Sequence, residues 1–280
     1  MQLIKRFPVN RHGRDFIVSD LHGCLNLLQE LLAHVDFDSQ KDRLFSTGDL
    51  ADRGPNSPAC LQLLNKPWFH SVAGNHEDML INYLLTHEAD SVTLEHLDAR
   101  ANLVSNGGQW VLTELRPLME QLPQLPELLC ALPMIISVGG IEDDRFHIVH
   151  GDLLFDGNRV PNDQDLDALE TPADPETRLA SLAGLTAMDA YTHAIWSRQL
   201  IASDKGKSSD IMATGLSRVY AGHTILESLE QRSSHLFIDG GAFVAVRDPS
   251  RANRFGLNLI DHTHQMRYRS NGMDISHHPL

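Results

Sequence analysis

Six side chains of metal-ligating type stand where apolar runs give way to polar loops: Asp20 and His22, then Asp49, then Asn75, and later His150 and His223. Carboxylate, imidazole and carboxamide donors with no thiolate among them suit Mn²⁺, Fe²⁺ or Zn²⁺ better than Ca²⁺ or a structural zinc. The first three groups are spaced by about one strand-loop-helix unit each, which lets them converge on one rim. Asp49 could then bridge two cations about 3.5–4 Å apart, with Asp20 and His22 completing one and Asn75, His150 and His223 the other. The chemistry that such a set supports is metal-assisted hydrolysis of a phosphoester.

The elements that must carry these residues follow from hydrophobic periodicity. Apolar runs at 15–19, 44–47 and 69–73 read as strands, each entering a loop rich in Gly, Asp, Asn and His. Helical spacing follows each of them: Leu25, Leu28, Leu31, Leu32 and Val35, then 57–64, then Met79, Leu80, Tyr83 and Leu84. In α/β sheets such loops gather at the carboxyl ends of the strands, where ligands are bound. A helical pattern is expected over 93–131, broken at Gly107-Gly108 and at Pro117, Pro123 and Pro126. Strands are expected near 134–138 and 146–149, followed by a polar, acidic surface insertion at 156–186. A helix holding Ala190, Ala194, Ile195 and Ile201 leads to a flexible segment at 203–209, and strands near 218–221, 236–238, 243–247 and 257–260 close the chain. No repeat or linker divides the sequence, so 1–280 reads as a single domain.

Composition narrows the class. A hydrophobic share of 42% with 21% charged residues excludes disordered, collagenous and coiled-coil chains. Thirty-seven acidic against 23 basic side chains leave a formal charge of −14, which argues against a nucleic-acid partner. No apolar run approaches the roughly 18 residues of a membrane span and the first residues do not form a signal peptide, so a cytoplasmic protein with no membrane partner is expected. Cys24, Cys60 and Cys130 are too few and too scattered for a disulfide framework, and each is expected to be buried packing. His262, His264, His277 and His278 are expected to be solvated.

Three motifs carry a resemblance. Asp20-Leu21-His22-Gly23, Gly48-Asp49-Leu50-Ala51-Asp52-Arg53-Gly54 and Gly74-Asn75-His76-Glu77, in this order, resemble the triplet of the phosphoprotein phosphatase family of calcineurin-like metallophosphoesterases. Asn106-Gly107-Gly108-Gln109-Trp110, Ile195-Trp196-Ser197-Arg198, Gly222-His223-Thr224 and Ile238-Asp239-Gly240-Gly241-Ala242 extend it towards the bacterial and phage lambda-type serine/threonine phosphatases, over about residues 14–247. The resemblance implies an α/β sandwich, two mixed β-sheets flanked by helices, with a binuclear metal site at one rim. It implies two divalent metal ions per chain, manganese first and iron(II) or zinc open, and a phosphorylated protein or peptide as substrate, with phosphotyrosine open.

The resemblance also implies that Arg53 and Arg198 clamp the phosphate beside Asn75, and that His76, oriented by Asp52, protonates the leaving oxygen. Guanidinium forks suit bidentate phosphate binding. A hydroxide generated by two metals attacks phosphorus in line, so no covalent phosphoenzyme is required, and an alkoxide leaving group calls for an acid. The competing reading is a dinucleoside-polyphosphate hydrolase of the diadenosine tetraphosphate type, a related group that usually lacks the aspartate found here as Asp52. Two departures stand out: Ser19 where the family has glycine, and Gly151-Asp152 after His150. The segment 106–110 reads either as groove lining or as a helix start with a packed tryptophan, Asp239 either as a partner of a metal-bound histidine or as a plain turn, and His147 as packing.

Overall fold

Parallel strands that are buried on both faces need apolar residues on both, and the first hundred residues supply them. In the computed structural model, which describes residues 2–86, 93–140, 143–154, 160–169, 193–202 and 215–280, these strands form half of one of two facing six-stranded sheets. That sheet runs β12 (Ile275–Pro279), β11 (Met266–Ser270), β10 (Leu257–Asp261), β2 (Asp15–Val18), β3 (Arg43–Ser46), β4 (Phe69–Ser71). The other runs β1 (Gln2–Phe7), β5 (Pro133–Val138), β6 (Phe146–Val149), β7 (Arg218–Ala221), β9 (His235–Phe237), β8 (Glu230–Arg232). Both are mixed. β2, β3 and β4 pair in parallel, with Ile17 beside Phe45 and Phe45 beside His70, while β10 joins β2 antiparallel.

Alternation sorts each strand between two cores. Ile17, Phe45 and Val72 point between the sheets and meet Ile136, Phe146, Ile148 and Tyr220 from the facing sheet. Phe16, Val18 and Leu44 point outward and pack with the buried face of helix α1 (Leu25–His34), formed by Leu27, Leu28 and Leu31. Leu27 and Leu31 are one helical turn apart, so a single stripe of the helix covers the sheet. With the parallel strands fixed on both faces, their carboxyl ends, and those of β6 and β7, are held at one rim.

Several elements depart from the sequence reading. Residues 243–247, expected as a strand, are helical: the helix Ala242–Arg247 starts from Gly241 at φ 68° and buries Ala242 and Ala245 at helical spacing. β1 was not anticipated; it buries Leu3 and Ile4 and pairs in parallel with β5. β8, β11 and β12 were also missed. The helix expected around Ile195 is interrupted, with 193–196 and Gln199–Ala202 helical and Ser197-Arg198 between them.

Cysteine and histidine burial differ in part from expectation. Cys24 and Cys60 are buried but Cys130 is exposed. His262 is not solvated: it is buried, with Nδ1 2.8 Å from the Tyr220 hydroxyl and its ring 4.1 Å from that of Phe146. His264, His277 and His278 are exposed. Of the insertion at 156–186, only its short helix Asp163–Asp167 and the flanking residues of 160–169 are described, the helix carrying a capping box from Asn162 and Asp165. The rest of it, and 203–209, lie outside the described residues. No helix among the described residues is long and apolar enough to cross a membrane.

Candidate metal centre

The strand ends leave their sheets by unusual backbone. Of the eight non-glycine residues with positive φ among those described, five are His22, Asp49, Asp52, Arg53 and His223. Left-handed backbone costs roughly 1–2 kcal/mol per residue, so such a cluster persists only where its surroundings hold it. The buried Glu77 carboxylate takes the backbone N–H groups of Asp49 and Leu50 at 2.8 Å and of Gly74 at 2.9 Å. Asp52 N–H is held by Ser57 Oγ at 2.9 Å, Arg53 N–H by the Gly107 carbonyl at 3.0 Å, and His223 N–H by Asp20 Oδ2 at 2.9 Å. Two glycines are required for this closeness. A Cβ on Gly222 would lie 2.0 Å from Asp20 Oδ1, and one on Gly107 would lie 2.8 Å from Arg53 Cγ. Ser19, by contrast, does not have positive φ, so a serine stands there without the left-handed backbone that would call for glycine.

Asp49 is the centre. Its Oδ2 lies 3.4 Å from His22 Nε2 and 3.8 Å from His76 Nε2, while its Oδ1 lies 3.4 Å from His150 Nε2. His150 Nε2 is in turn 3.0 Å from Asn75 Oδ1 and 3.1 Å from His223 Nδ1. Two sets result, His22–Asp49–His76 and Asp49–His150–His223, each with its ligand atoms within 4.8 Å of one another.

The histidines are presented as ligands. His22 donates Nδ1–H to the Ala51 carbonyl at 2.9 Å, His150 donates Nδ1–H to the Thr47 carbonyl at 2.7 Å, and His223 donates Nε2–H to the Trp196 carbonyl at 3.2 Å. Each bond fixes the tautomer that turns the other nitrogen's lone pair towards Asp49 or Asn75. Burial lowers the pKa of all three, that of His223 to about 3, and so keeps them in the neutral form that binds metals.

The carboxylates are crowded. Burial, then the charges of Asp239 and Asp49, push the Asp20 pKa well up. Burial likewise raises Asp239 to about 6 and, with the charge of Asp49, Glu77 to about 7. Acids packed together away from water call for positive charge between them, and this is the fit of these residues to divalent cations. Asp20 sits at this rim with Oδ1 accepting from Thr47 Oγ1 at 2.8 Å and Oδ2 from His223 N–H. It falls outside both three-donor sets, and His76 takes the place beside His22 and Asp49 instead. A carboxylate has about four lone-pair sites, so these bonds leave room for a further ligand.

His76 is built differently from the other three. Its Nδ1–H is donated to Asp52 Oδ2 at 2.6 Å, and its Nε2 is buried with no hydrogen-bond partner. Burial opposes the imidazolium, but the charge of Asp49 and the hydrogen bond and charge of Asp52 outweigh it and raise the pKa. Asp52 is itself fixed by Trp110, whose Nε1–H reaches Oδ1 at 2.6 Å. The Arg53 guanidinium donates to His22 Nε2 at 2.6 Å and lies 5.0 Å from the Phe243 ring centroid. Arg198 is exposed and donates to the His223 carbonyl at 3.2 Å. Its segment is tied by Asp152, whose Oδ2 accepts from Ser197 Oγ at 2.8 Å and from Leu200 N–H at 2.9 Å.

All ten residues singled out from sequence therefore meet at one rim. Sequence reasoning did not single out Glu77, Thr47 or Phe243, and it noted Asp152 only as a departure from the family pattern. Glu77 closes the third motif, which was its signal; Phe243 gave none, because its run read as a strand. Trp110 both packs and supports Asp52, while Asn106 lines the neighbouring groove, so both readings of 106–110 hold. Asp239 makes a turn, accepting from Gly241 N–H at 2.9 Å, and adds charge to the acidic cluster. His147 is buried and bonded to Asp163 at 2.9 Å, away from this rim.

Known proteins resemble this chain in sequence and in fold. Residues 16–230 fit the family pattern described as calcineurin-like phosphoesterase. Serine/threonine-protein phosphatase 2 of Salmonella typhimurium is 28% identical over 246 residues, covering 87% of this chain and 95% of that protein. A symmetrical bis(5'-nucleosyl)-tetraphosphatase of Yersinia enterocolitica is 47% identical over 64 residues, 22% of each chain. In fold, the crystal structure of a putative diadenosine tetraphosphatase is similar over 100% of this chain and 98% of that one, with a TM-score of 0.53 and 22% identity.

Proposed function

The chain belongs to the calcineurin-like phosphoesterase family, and from that premise we propose that it is a metal-dependent phosphomonoester hydrolase acting on phosphoserine and phosphothreonine in proteins. One observation carries the proposal: Asp49 stands between two sets of imidazoles, with His76 and its Asp52 partner alongside. Asp20, His22 and Asp49 would hold one divalent ion and Asp49, Asn75, His150 and His223 the other, with Mn²⁺ first and Fe²⁺ or Zn²⁺ next. When bound, the ions supply Lewis acidity, polarising phosphoryl oxygens and lowering the pKa of coordinated water to near neutrality.

The chain's own groups do the rest. Arg53 and Arg198, with the Asn75 amide, bind and orient the phosphoryl oxygens and carry part of the charge that develops on them. His76 holds a proton on Nε2, and the Nδ1–H bond to Asp52 keeps that nitrogen aimed into the site. From there it protonates the departing serine or threonine oxygen, which would otherwise leave as an alkoxide. Trp110 keeps Asp52 in place.

A protein substrate is supported by the near full-length likeness to a protein phosphatase and by Asp52. Dinucleoside-polyphosphate hydrolysis is the second reading, favoured by the short, more identical match to a tetraphosphatase. Assaying the metal-loaded protein on a phosphoserine peptide beside diadenosine tetraphosphate separates them. Release of phosphate from the peptide with at least about tenfold higher kcat/KM is expected, and the reverse order contradicts the proposal. We read 1–280 as one domain, a reading supported by the core shared between the two sheets. The acidic charge and scattered cysteines support a cytoplasmic protein without a nucleic-acid partner.

A further inference from the structure

Beside Arg53 the surface opens into a cavity of about 530 Å³ walled by Arg53, Asn106, Gln109, Phe243 and Arg247. A second hollow of about 300 Å³ shares Arg53, Phe243 and Arg247 with it. Together they form a trough that begins at a guanidinium assigned above to the phosphate. The larger hollow falls within the usual 300–1,000 Å³ of ligand sites.

The trough holds two guanidinium groups. Five arginines elsewhere are matched to carboxylates: Arg14 with Asp42 and Arg43 with Asp15, both at 2.7 Å, and Arg145, Arg232 and Arg254 with Asp167, Glu230 and Glu227. Among the described residues, Arg53 and Arg247 form no ion pair. Arg53 is engaged with His22 and the face of Phe243, and Arg247 stands exposed at the end of its helix. In a chain of formal charge −14, two guanidinium groups in one cleft, the Arg247 one exposed, favour an anionic partner there.

The lining also discriminates between anions. A nucleoside would stack on an aromatic face, and Phe243, the aromatic side chain of this lining, is already in contact with two neighbours. The Arg53 guanidinium lies over it at 5.0 Å, and the His22 ring meets it edge-on at 5.2 Å and 86°. The Asn106 and Gln109 amides donate to Asn102 and Val104, so the group of this lining left to meet a ligand is the Arg247 guanidinium, which suits a carboxylate. We propose that this trough is a specificity subsite that reads an acidic side chain next to the phosphorylated residue, with Arg247 as the recognising group. The inference rests on the phosphoprotein reading given above.

The test uses the metal-loaded full chain and three phosphoserine peptides that differ only in flanking Asp, Ala or Lys. The wild type should prefer Asp over Ala by about 5–10-fold in kcat/KM, the scale of one partly exposed charge-assisted contact. That ratio should fall to about 1 in Arg247→Ala and invert in favour of Lys in Arg247→Glu, an inversion that general damage to the site would not produce. A wild-type ratio near 1, or a preference for Asp that survives both substitutions, overturns the subsite and leaves the phosphatase reading intact. Turnover of none of the three peptides, with diadenosine tetraphosphate hydrolysed instead, overturns the phosphoprotein reading itself.

Discussion

Histidines at the strand-end rim and histidines elsewhere in the fold are buried or half-buried alike but differently used. At the rim, His22, His150 and His223 each give one nitrogen to a backbone carbonyl and turn the other inward, towards Asp49 or Asn75. Elsewhere each ring has a partner of its own. His147 bonds Asp163, His235 accepts Leu153 N–H at 3.1 Å, His262 meets the Tyr220 hydroxyl, and half-buried His70 packs against the rings of Phe7 and Phe45 at 4.5 and 5.3 Å. Burial lowers the pKa in both regions, to about 3 for His223 and His235 alike and to about 4 for His70. A depressed pKa therefore reports burial. Convergence on a shared carboxylate, with the tautomer set from behind, is what marks a ligand.

The largest effect that would sharpen this contrast is at its centre. Asp49→Asn should lower kcat/KM by roughly 10⁴-fold or more, because it weakens both ion sites together; activity within about tenfold of wild type would remove the distinction between the two regions. Next comes His76, which belongs to the rim but bonds a carboxylate. His76→Asn should lower kcat roughly 10²–10⁴-fold on a phosphoserine peptide with metal content unchanged. The acid form is populated below its raised pKa, so wild-type kcat should fall as pH rises through that pKa, and the variant should lose this limb. Metal loss on the same substitution would instead move His76 among the ligands, where its position beside His22 and Asp49 would allow it.

A smaller effect is expected one bond further out. Trp110→Phe leaves Asp52 without its Nε1–H donor, and kcat should fall about 3–10-fold, with about 1–3 kcal/mol of stability lost on chemical denaturation. Smallest of all, and confined to stability, is His70→Phe, which keeps a ring against Phe7 and Phe45. His70 is depressed to about 4, by burial first and then by Lys5 and Arg43. The unfolded chain therefore binds the extra proton between about pH 6.5 and 4, and stability is lost as pH falls through that window. The variant should flatten the decline by at most about 1.4 kcal/mol per pH unit and leave kcat alone. An unchanged slope in thermal melts would show that this ring does not titrate as a half-buried histidine.

The legibility of the molecule in its sequence follows the same division. β2, β3 and β4 could be read because each carries a short apolar stretch, Phe16-Ile17-Val18, Leu44-Phe45 and Phe69 with Val72-Ala73, that gives way to a loop rich in Gly, Asp and His. β1 could not, since exposed Lys5 interrupts its apolar residues, and β12 could not, since only one of its five residues is even half-buried. The run Phe243-Val244-Ala245-Val246 is too short for periodicity to choose between helix and strand; the left-handed Gly241 decided it. Buried His262 shows the converse error, because a polar, histidine-rich composition says nothing about a turn that folds back onto Phe146. Residue types and spacing pointed to the ligand set, and the resemblance supplied the roles of Arg53, Asp52 and His76. Trp110 reaching Asp52, and Phe243 seating Arg53, depend on loops far apart in the chain meeting at one rim, which no local pattern encodes.

Elemental analysis of the purified chain and of Asp49→Asn, each loaded with Mn²⁺ and freed of excess metal, bears most directly on the shared carboxylate. Two ions per wild-type chain and the joint depletion of both in the variant are the predicted result. Loss of a single ion, with the second retained at full occupancy, would contradict a bridging Asp49 and with it the account given for this rim.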